Sequence, residues 1–109
     1  VIRKSERKKI YSQGSKAIIQ PLAHQLSKKK IEPFMLTLEV GGESGEHPYS
    51  SHHGEEFGII INGKVRFILD MKEYTLGKGD SVYFNSTKPH KWENVGKKEA
   101  IIMLVIPGA

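Results

Sequence analysis

Short apolar runs alternate along the chain with clusters of Gly, Pro, Asn and Asp, and helical periodicity is almost absent. Runs of β-branched and aromatic residues bounded by turn signals predict strands, and a series of them predicts an all-β sandwich or barrel. The first strands fall at residues 17–19 and 34–40. In the second, Leu36, Leu38 and Val40 alternate with Met35, Thr37 and Glu39, which predicts one buried face. Gly41-Gly42 ends that run and opens a polar loop over residues 43–54. An apolar strand follows at 57–61, and then Asn62-Gly63, a hairpin signal because both residues tolerate positive φ. The return strand, 64–70, alternates Val65, Phe67 and Leu69 with Lys64, Arg66 and Asp70, Ile68 being the exception. A second hairpin turns near Met71-Lys72, and strands at 74–76, 81–84, 91–93 and 100–106 complete the count. Closing such a sheet removes exposed edges and favours a barrel over an open layer. There is no internal repeat and no low-complexity stretch.

The length of 109 residues fits one domain with one core. Hydrophobic residues at 38% and charged residues at 27% are soluble globular composition rather than disorder. With no cysteine, disulfides and thiolate metal sites are excluded, and a cytoplasmic location is expected. The apolar run 100–106 is far short of the roughly 20 residues that span a bilayer, so no membrane partner is expected. The N-terminus lacks an apolar signal core and does not begin with Met, which reads as a piece of a longer chain. Net charge is +5, with cations clustered at Arg3, Lys4, Arg7, Lys8 and Lys9, at Lys28, Lys29 and Lys30, and at Lys97 and Lys98. Such clusters either attract a polyanion or form a solvated surface that discourages edge-strand pairing. No aromatic residues interleave with them and no helix-turn-helix pattern is present, which favours the second reading.

Three spacings carry the candidate chemistry. His52 and Glu56 are separated by three residues, six residues separate Glu56 from Gly63, and three separate His90 from Asn94. The stretch from Ser50 through His52, His53, Glu55 and Glu56 to Gly63 resembles the first motif of the cupin family, G-x5-H-x-H-x3,4-E-x6-G. Gly79 through Pro89-His90 to Asn94 resembles the second, G-x5-P-x-G-x2-H-x3-N. Four positions depart from the pattern: Ser44 for the opening glycine, Ser50 for the first histidine, and Asn85 and Thr87 for the proline and glycine of the second motif.

The resemblance implies an all-β double-stranded β-helix, the cupin or jelly-roll barrel, as a single domain over residues 1–109. It also implies a divalent metal held by His52, Glu56 and His90, with the fourth position vacated and His47 or Ser50 as possible extra ligands. Imidazole and carboxylate suit zinc, manganese, iron, nickel or copper, and three protein ligands leave room for water or substrate. In an extended segment His53 points away from Ser50 and His52, which makes it the poorer donor. The alternative is a polar pocket whose histidines only hydrogen-bond their neighbours. Tyr49, Phe57, Tyr83 and Trp92 are candidate walls of a mostly apolar ligand pocket, or else simple core. Gly63 and Gly79 are assigned to backbone geometry and Asn94 to a local hydrogen bond.

The runs Glu32-Pro33-Phe34, His47-Pro48-Tyr49-Ser50, Gly54-Glu55-Glu56-Phe57-Gly58 and Asp80-Ser81-Val82-Tyr83-Phe84 are similar to the C-terminal cupin of bacterial XRE-type transcriptional regulators. In those proteins a helix-turn-helix domain precedes the cupin. The resemblance implies a sensor of a small-molecule effector, a homodimer, and DNA contact only through a helix-turn-helix domain absent from this chain. Residues 1–14 then form a basic arm or linker from the preceding DNA-binding domain. The alternative is a stand-alone metal-dependent enzyme, a dioxygenase or isomerase, with Glu55 and Tyr49 the nearby acid–base candidates. A third reading is a structural β-domain with an inert pocket.

Overall fold

Each apolar run read from the sequence forms a strand in the computed structural model, which describes residues 1–44 and 53–108. The strands are β1 (Ile10–Ser12), β2 (Ala17–Pro21), β3 (Ile31–Leu38), β4 (Glu55–Asn62), β5 (Lys64–Leu69), β6 (Lys72–Gly77), β7 (Ser81–Asn85), β8 (His90–Asn94) and β9 (Ala100–Pro107). Two single-turn 3₁₀ segments, Lys4–Glu6 and Leu26–Lys28, are the only helical pieces among the described residues. β1 has no apolar-run signal and lies inside the segment expected as an arm; it pairs with β2 at the sheet edge.

β3 starts before its apolar run because Pro33 needs only its carbonyl there, which accepts from the Leu22 N–H at 2.9 Å. It also ends earlier than expected, at Leu38. Val40, expected on the buried face, lies beyond the strand and is 52% exposed, because the chain turns there through Gly41 at φ +79°.

All strand pairings are antiparallel, in a six-stranded sheet ordered β1-β2-β3-β9-β4-β7 and a three-stranded sheet ordered β6-β5-β8. The inner faces pack together. Leu36, Leu38, Ile60, Phe84, Ile102 and Leu104 from the large sheet meet Val65, Phe67 and Trp92 from the small one, all buried. This is the jelly-roll arrangement of a double-stranded β-helix.

The Asn62-Gly63 signal works differently from the expectation. It joins β4 to β5, and these strands belong to different sheets. Gly63 takes φ +88°, and a Cβ there would lie 2.8 Å from the Ala100 Cα. The dipeptide therefore marks a crowded corner between sheets rather than a hairpin: it reports positive φ, not pairing. The true two-residue hairpin is Asp70-Met71, one residue earlier than expected. Both residues have positive φ, 48° and 73°, and Leu69 pairs with Lys72 across the turn. Gly79 also takes positive φ, and its N–H donates to the Ile60 carbonyl at 2.8 Å.

At the opposite end of β8, Asn94 ties three segments together. Its Nδ2 lies 3.0 Å from the Leu38 carbonyl, 3.1 Å from that of Glu39 and 2.8 Å from that of Lys98, while Oδ1 accepts from the Gly96 N–H at 2.9 Å. Outward from the small sheet runs an ionic chain. Arg66 pairs with Glu93 at 2.8 Å, Glu93 with Lys91 at 3.4 Å, and Lys91 with Glu43 at 3.2 Å.

Candidate metal and ligand site

Glu56 is the second residue of β4 and His90 the first of β8, so a facing pair is formed by residues 34 positions apart. Strand alternation turns Glu56 inward with Gly58 and Ile60. Register sets Glu56 opposite Phe84 and His90 opposite Leu69. The two side chains are shut away from solvent, Glu56 at 4% exposure and His90 at 0%.

His90 is held from behind. Its Nδ1 lies 2.8 Å from the Lys88 carbonyl, and a carbonyl only accepts, so Nδ1 carries the hydrogen. In the neutral ring the lone pair is then on Nε2, and Nε2 faces Glu56 Oε2 at 3.5 Å. The Phe84 ring meets the imidazole edge-on at 4.7 Å between centroids, and the Pro89 carbonyl is anchored by the Asp70 N–H at 2.9 Å. Burial pushes the Glu56 carboxyl above the usual range, opposed by the adjacent His90 and by the Ser86 hydroxyl.

Do these donors fit a metal? At a tetrahedral centre with Zn–N and Zn–O bonds of about 2.1 Å, two ligand atoms stand about 3.4 Å apart. The 3.5 Å between Nε2 and Oε2 matches that separation. The backbone carbonyl behind Nδ1 is the usual support of a ligating histidine, since it fixes tautomer and ring orientation. Two donors therefore fit. Among the described residues no group of three His, Asp or Glu side chains stands close enough to hold an ion. His52, the third ligand expected from the sequence, lies outside the described residues, as do His47, Ser50 and Tyr49. His53 is described: it is exposed, with Nε2 3.4 Å from the Gly108 carbonyl at the other end of the chain.

The other aromatic residues proposed as walls occupy two different environments. Trp92 is fully buried, its ring 4.3 Å from that of Phe67, and its indole N–H makes no hydrogen bond among the described residues. Phe57 and Tyr83 pair with each other across β4 and β7 on the outer face of the large sheet, one position out of phase with Glu56 and Phe84. Tyr83 is 69% exposed and its hydroxyl donates to Glu55. The pleat thus places both rings on the side of the sheet away from Glu56. Glu55 shares that outer face, so the structure sets this acid–base candidate opposite the Glu56–His90 pair. An apolar cavity of about 170 Å³ lies on the inner side, lined by Ala17, Ile19, Phe34, Leu36 and Leu104 with three serines, Ser12, Ser15 and Ser44. Glu56 and His90 are not among its lining residues.

Ser86 has no counterpart in the sequence reading. It is fully buried beside Glu56, and its N–H donates to the Gly54 carbonyl at 3.0 Å. The only signal in the sequence is its place in the turn between β7 and His90.

Residues 34–107 match the family model described as Cupin domain. The chain belongs to the cupin family. An uncharacterized protein of Methanocaldococcus jannaschii is 30% identical over 97 residues, 87% of this chain and 78% of that one. The HTH-type transcriptional regulator PuuR of Escherichia coli is 27% identical over 82 residues, 74% of this chain, and the match spans only 43% of its own length. Among solved structures, the cupin domain of an XRE family transcriptional regulator from Enterobacter cloacae superposes with a TM-score of 0.73 at 22% identity, covering 86% of this chain and 98% of that one. A sugar phosphate isomerase, so described as putative, from Acidithiobacillus ferrooxidans superposes with a TM-score of 0.79 at 17% identity, covering 100% of this chain and 75% of that one. At those identities the superpositions establish the cupin fold. The chain is thus related to cupin domains of helix-turn-helix regulators and shares its fold with isomerases. None of the described helical segments is long and apolar enough to cross a membrane.

Proposed function

We propose that this cupin is the ligand-sensing module of a cytoplasmic transcriptional regulator, a homodimer that binds a small effector, with a divalent metal, in the barrel at Glu56 and His90. The observation that carries the reading is the buried Glu56–His90 pair, with Nε2 of a tautomer-fixed imidazole facing a carboxylate oxygen at 3.5 Å. His52 is the third ligand in this reading, and the bound ion supplies a Lewis-acidic position for an effector oxygen or nitrogen. The chain's own part is to hold the imidazole by Lys88, to hold the carboxylate beside Ser86, and to keep both dry. DNA contact belongs to a helix-turn-helix domain outside this chain, a reading supported by the similarity to PuuR. The effector shifts DNA affinity only as far as it prefers one arrangement of the dimer.

The test begins with elemental analysis of protein purified without chelator. About one equivalent of a transition metal is expected, lost in the His52→Ala His90→Ala pair. Thermal-shift screening against amines, amino acids and sugar acids then seeks the effector. A metal-free protein whose melting responds to none of these would overturn the sensor reading. Metal-dependent turnover of a sugar phosphate would establish the enzyme instead, with acid–base residues other than Glu55.

A further inference from the structure

The inside of the barrel passes from charged to neutral along its strands. Register sorts the inward side chains into tiers two residues, or about 7 Å, apart. Glu56 of β4 and His90 of β8 share the first tier. Gly58 and Trp92, two residues further along the same strands, share the second with Leu104 and Phe34. The cavity of about 170 Å³ begins at Leu104 and Phe34 and continues past Ile19 and Leu36 to Ala17.

No lysine, arginine, histidine or carboxylate lines this cavity among the described residues, and its polar groups are the hydroxyls of Ser12, Ser15 and Ser44. A charge moved into such surroundings loses its water without gaining a counter-ion. An apolar cavity of about this size stays dry and accepts an apolar guest; at about 30 Å³ for each water-sized group it holds about five or six non-hydrogen atoms. Trp92 supplies an independent observation. It is fully buried, and its indole N–H makes no hydrogen bond among the described residues. A buried donor left in that state costs about 1–3 kcal/mol, which an oxygen of an occupant beside it recovers.

We infer that the effector is a small amphiphile, with an oxygen-bearing head at Glu56 and His90 and an uncharged tail of about five atoms in the cavity beyond Trp92. This rests on the sensor reading above and names the chemical class that the sensor takes. Diamines, dicarboxylates and compounds with a phosphate on the tail are excluded by charge, however well their heads suit the site.

Trp92 is the chain's one tryptophan, so its emission reads the second tier directly. The protein, supplied with one equivalent of zinc, is titrated with three probes of equal length: hexanoate, 6-aminohexanoate and adipate. Hexanoate is expected to shift the emission saturably, and the two probes with a charged far end to bind about ten-fold more weakly or worse. Ala17→Leu, which fills the cavity from β2, is expected to weaken hexanoate by a similar factor and to leave zinc binding unchanged. Should that variant fail to fold, Ile19→Phe makes the same test. Equal binding of the three probes, no response to hexanoate, or hexanoate binding untouched by a filled cavity overturns the inference alone. An effector with a charged tail emerging from the thermal-shift screen does the same and leaves the sensor standing. Protein that binds neither zinc nor any compound overturns both.

Discussion

Gly58 sets the spacing between β4 and the Trp92 strand, and adding one methyl group there tests how tightly the site is built. A Cβ at Gly58 would come 2.9 Å from Leu104 Cδ2, 3.0 Å from Trp92 Cζ2 and 3.1 Å from Cη2. All three belong to buried side chains, and the Trp92 ring is backed by that of Phe67 at 4.3 Å between centroids. Overpacking of this kind costs about 1–3 kcal/mol. Against it stands the reduced entropy of the unfolded chain, which favours alanine by about 0.4–1 kcal/mol. Gly58→Ala should therefore lose about 1.5 kcal/mol net. Gly77→Ala in β6 is the reference, because nothing lies within 4 Å of a Cβ there and its φ is not positive. Only the entropy gain applies, so that variant should be more stable by about 0.5 kcal/mol. Urea unfolding of the metal-free protein measures both. The displacement also reaches the site: Trp92 is two residues from His90 on the same face of β8, so Gly58→Ala should weaken metal binding several-fold while Gly77→Ala leaves it unchanged. Equal stability of the two variants would refute the claim that the Trp92 ring is clamped between the sheets.

Asn94→Ala should cost about 2 kcal/mol by leaving the buried carbonyl of Leu38, and the partly buried ones of Glu39 and Lys98, without their donor; Asn94→Asp should cost more, since it sets a carboxylate among them, and a loss under 1 kcal/mol in urea unfolding would contradict this. Glu56, with its folded-state pKa raised by burial, contributes stability that is fully present below its unfolded value of about 4.3 and is lost as pH rises through the folded value. Glu56→Gln should therefore gain on the wild type between pH 4 and pH 7 in metal-free buffer, and a pH-independent difference between the two would sink that account. Gly63→Ala should lose at least 1 kcal/mol, from positive φ combined with the contact on Ala100, measured as a fall in melting temperature.

Strand positions were legible because apolar runs between turn residues mark them whatever the partner. Pairing was not, since Asn62-Gly63 encodes a φ sign and only the rest of the chain decides whether β5 folds back on β4 or crosses to the other sheet. Glu56 and His90 were legible through spacing, which carries over with the motif. The walls were not: Phe57 follows Glu56 directly, and nearness in sequence places a strand neighbour on the opposite face. Ser86 escaped because a lone serine in a turn gives no periodic or compositional signal, and its burial comes from β7 and β8 converging behind it.

That same pleat gives β4 and β9 two unlike faces. β4 presents Glu56 inward and Phe57 outward, and β9 presents Leu104 inward and Met103 outward. The proposed site and the outer face of the large sheet are therefore opposite sides of the same strands, separated by one backbone thickness. Packed interiors transmit small displacements rather than absorb them. An occupant that changes the curvature of β4 at Glu56 must move Phe57 with it, because one peptide unit joins them. Substitutions on the outer face of β4 therefore reach the site through the backbone, and Ile59→Lys is expected to weaken effector affinity more than Met103→Lys does from the neighbouring strand, measured as the shift in melting temperature that the effector gives each variant.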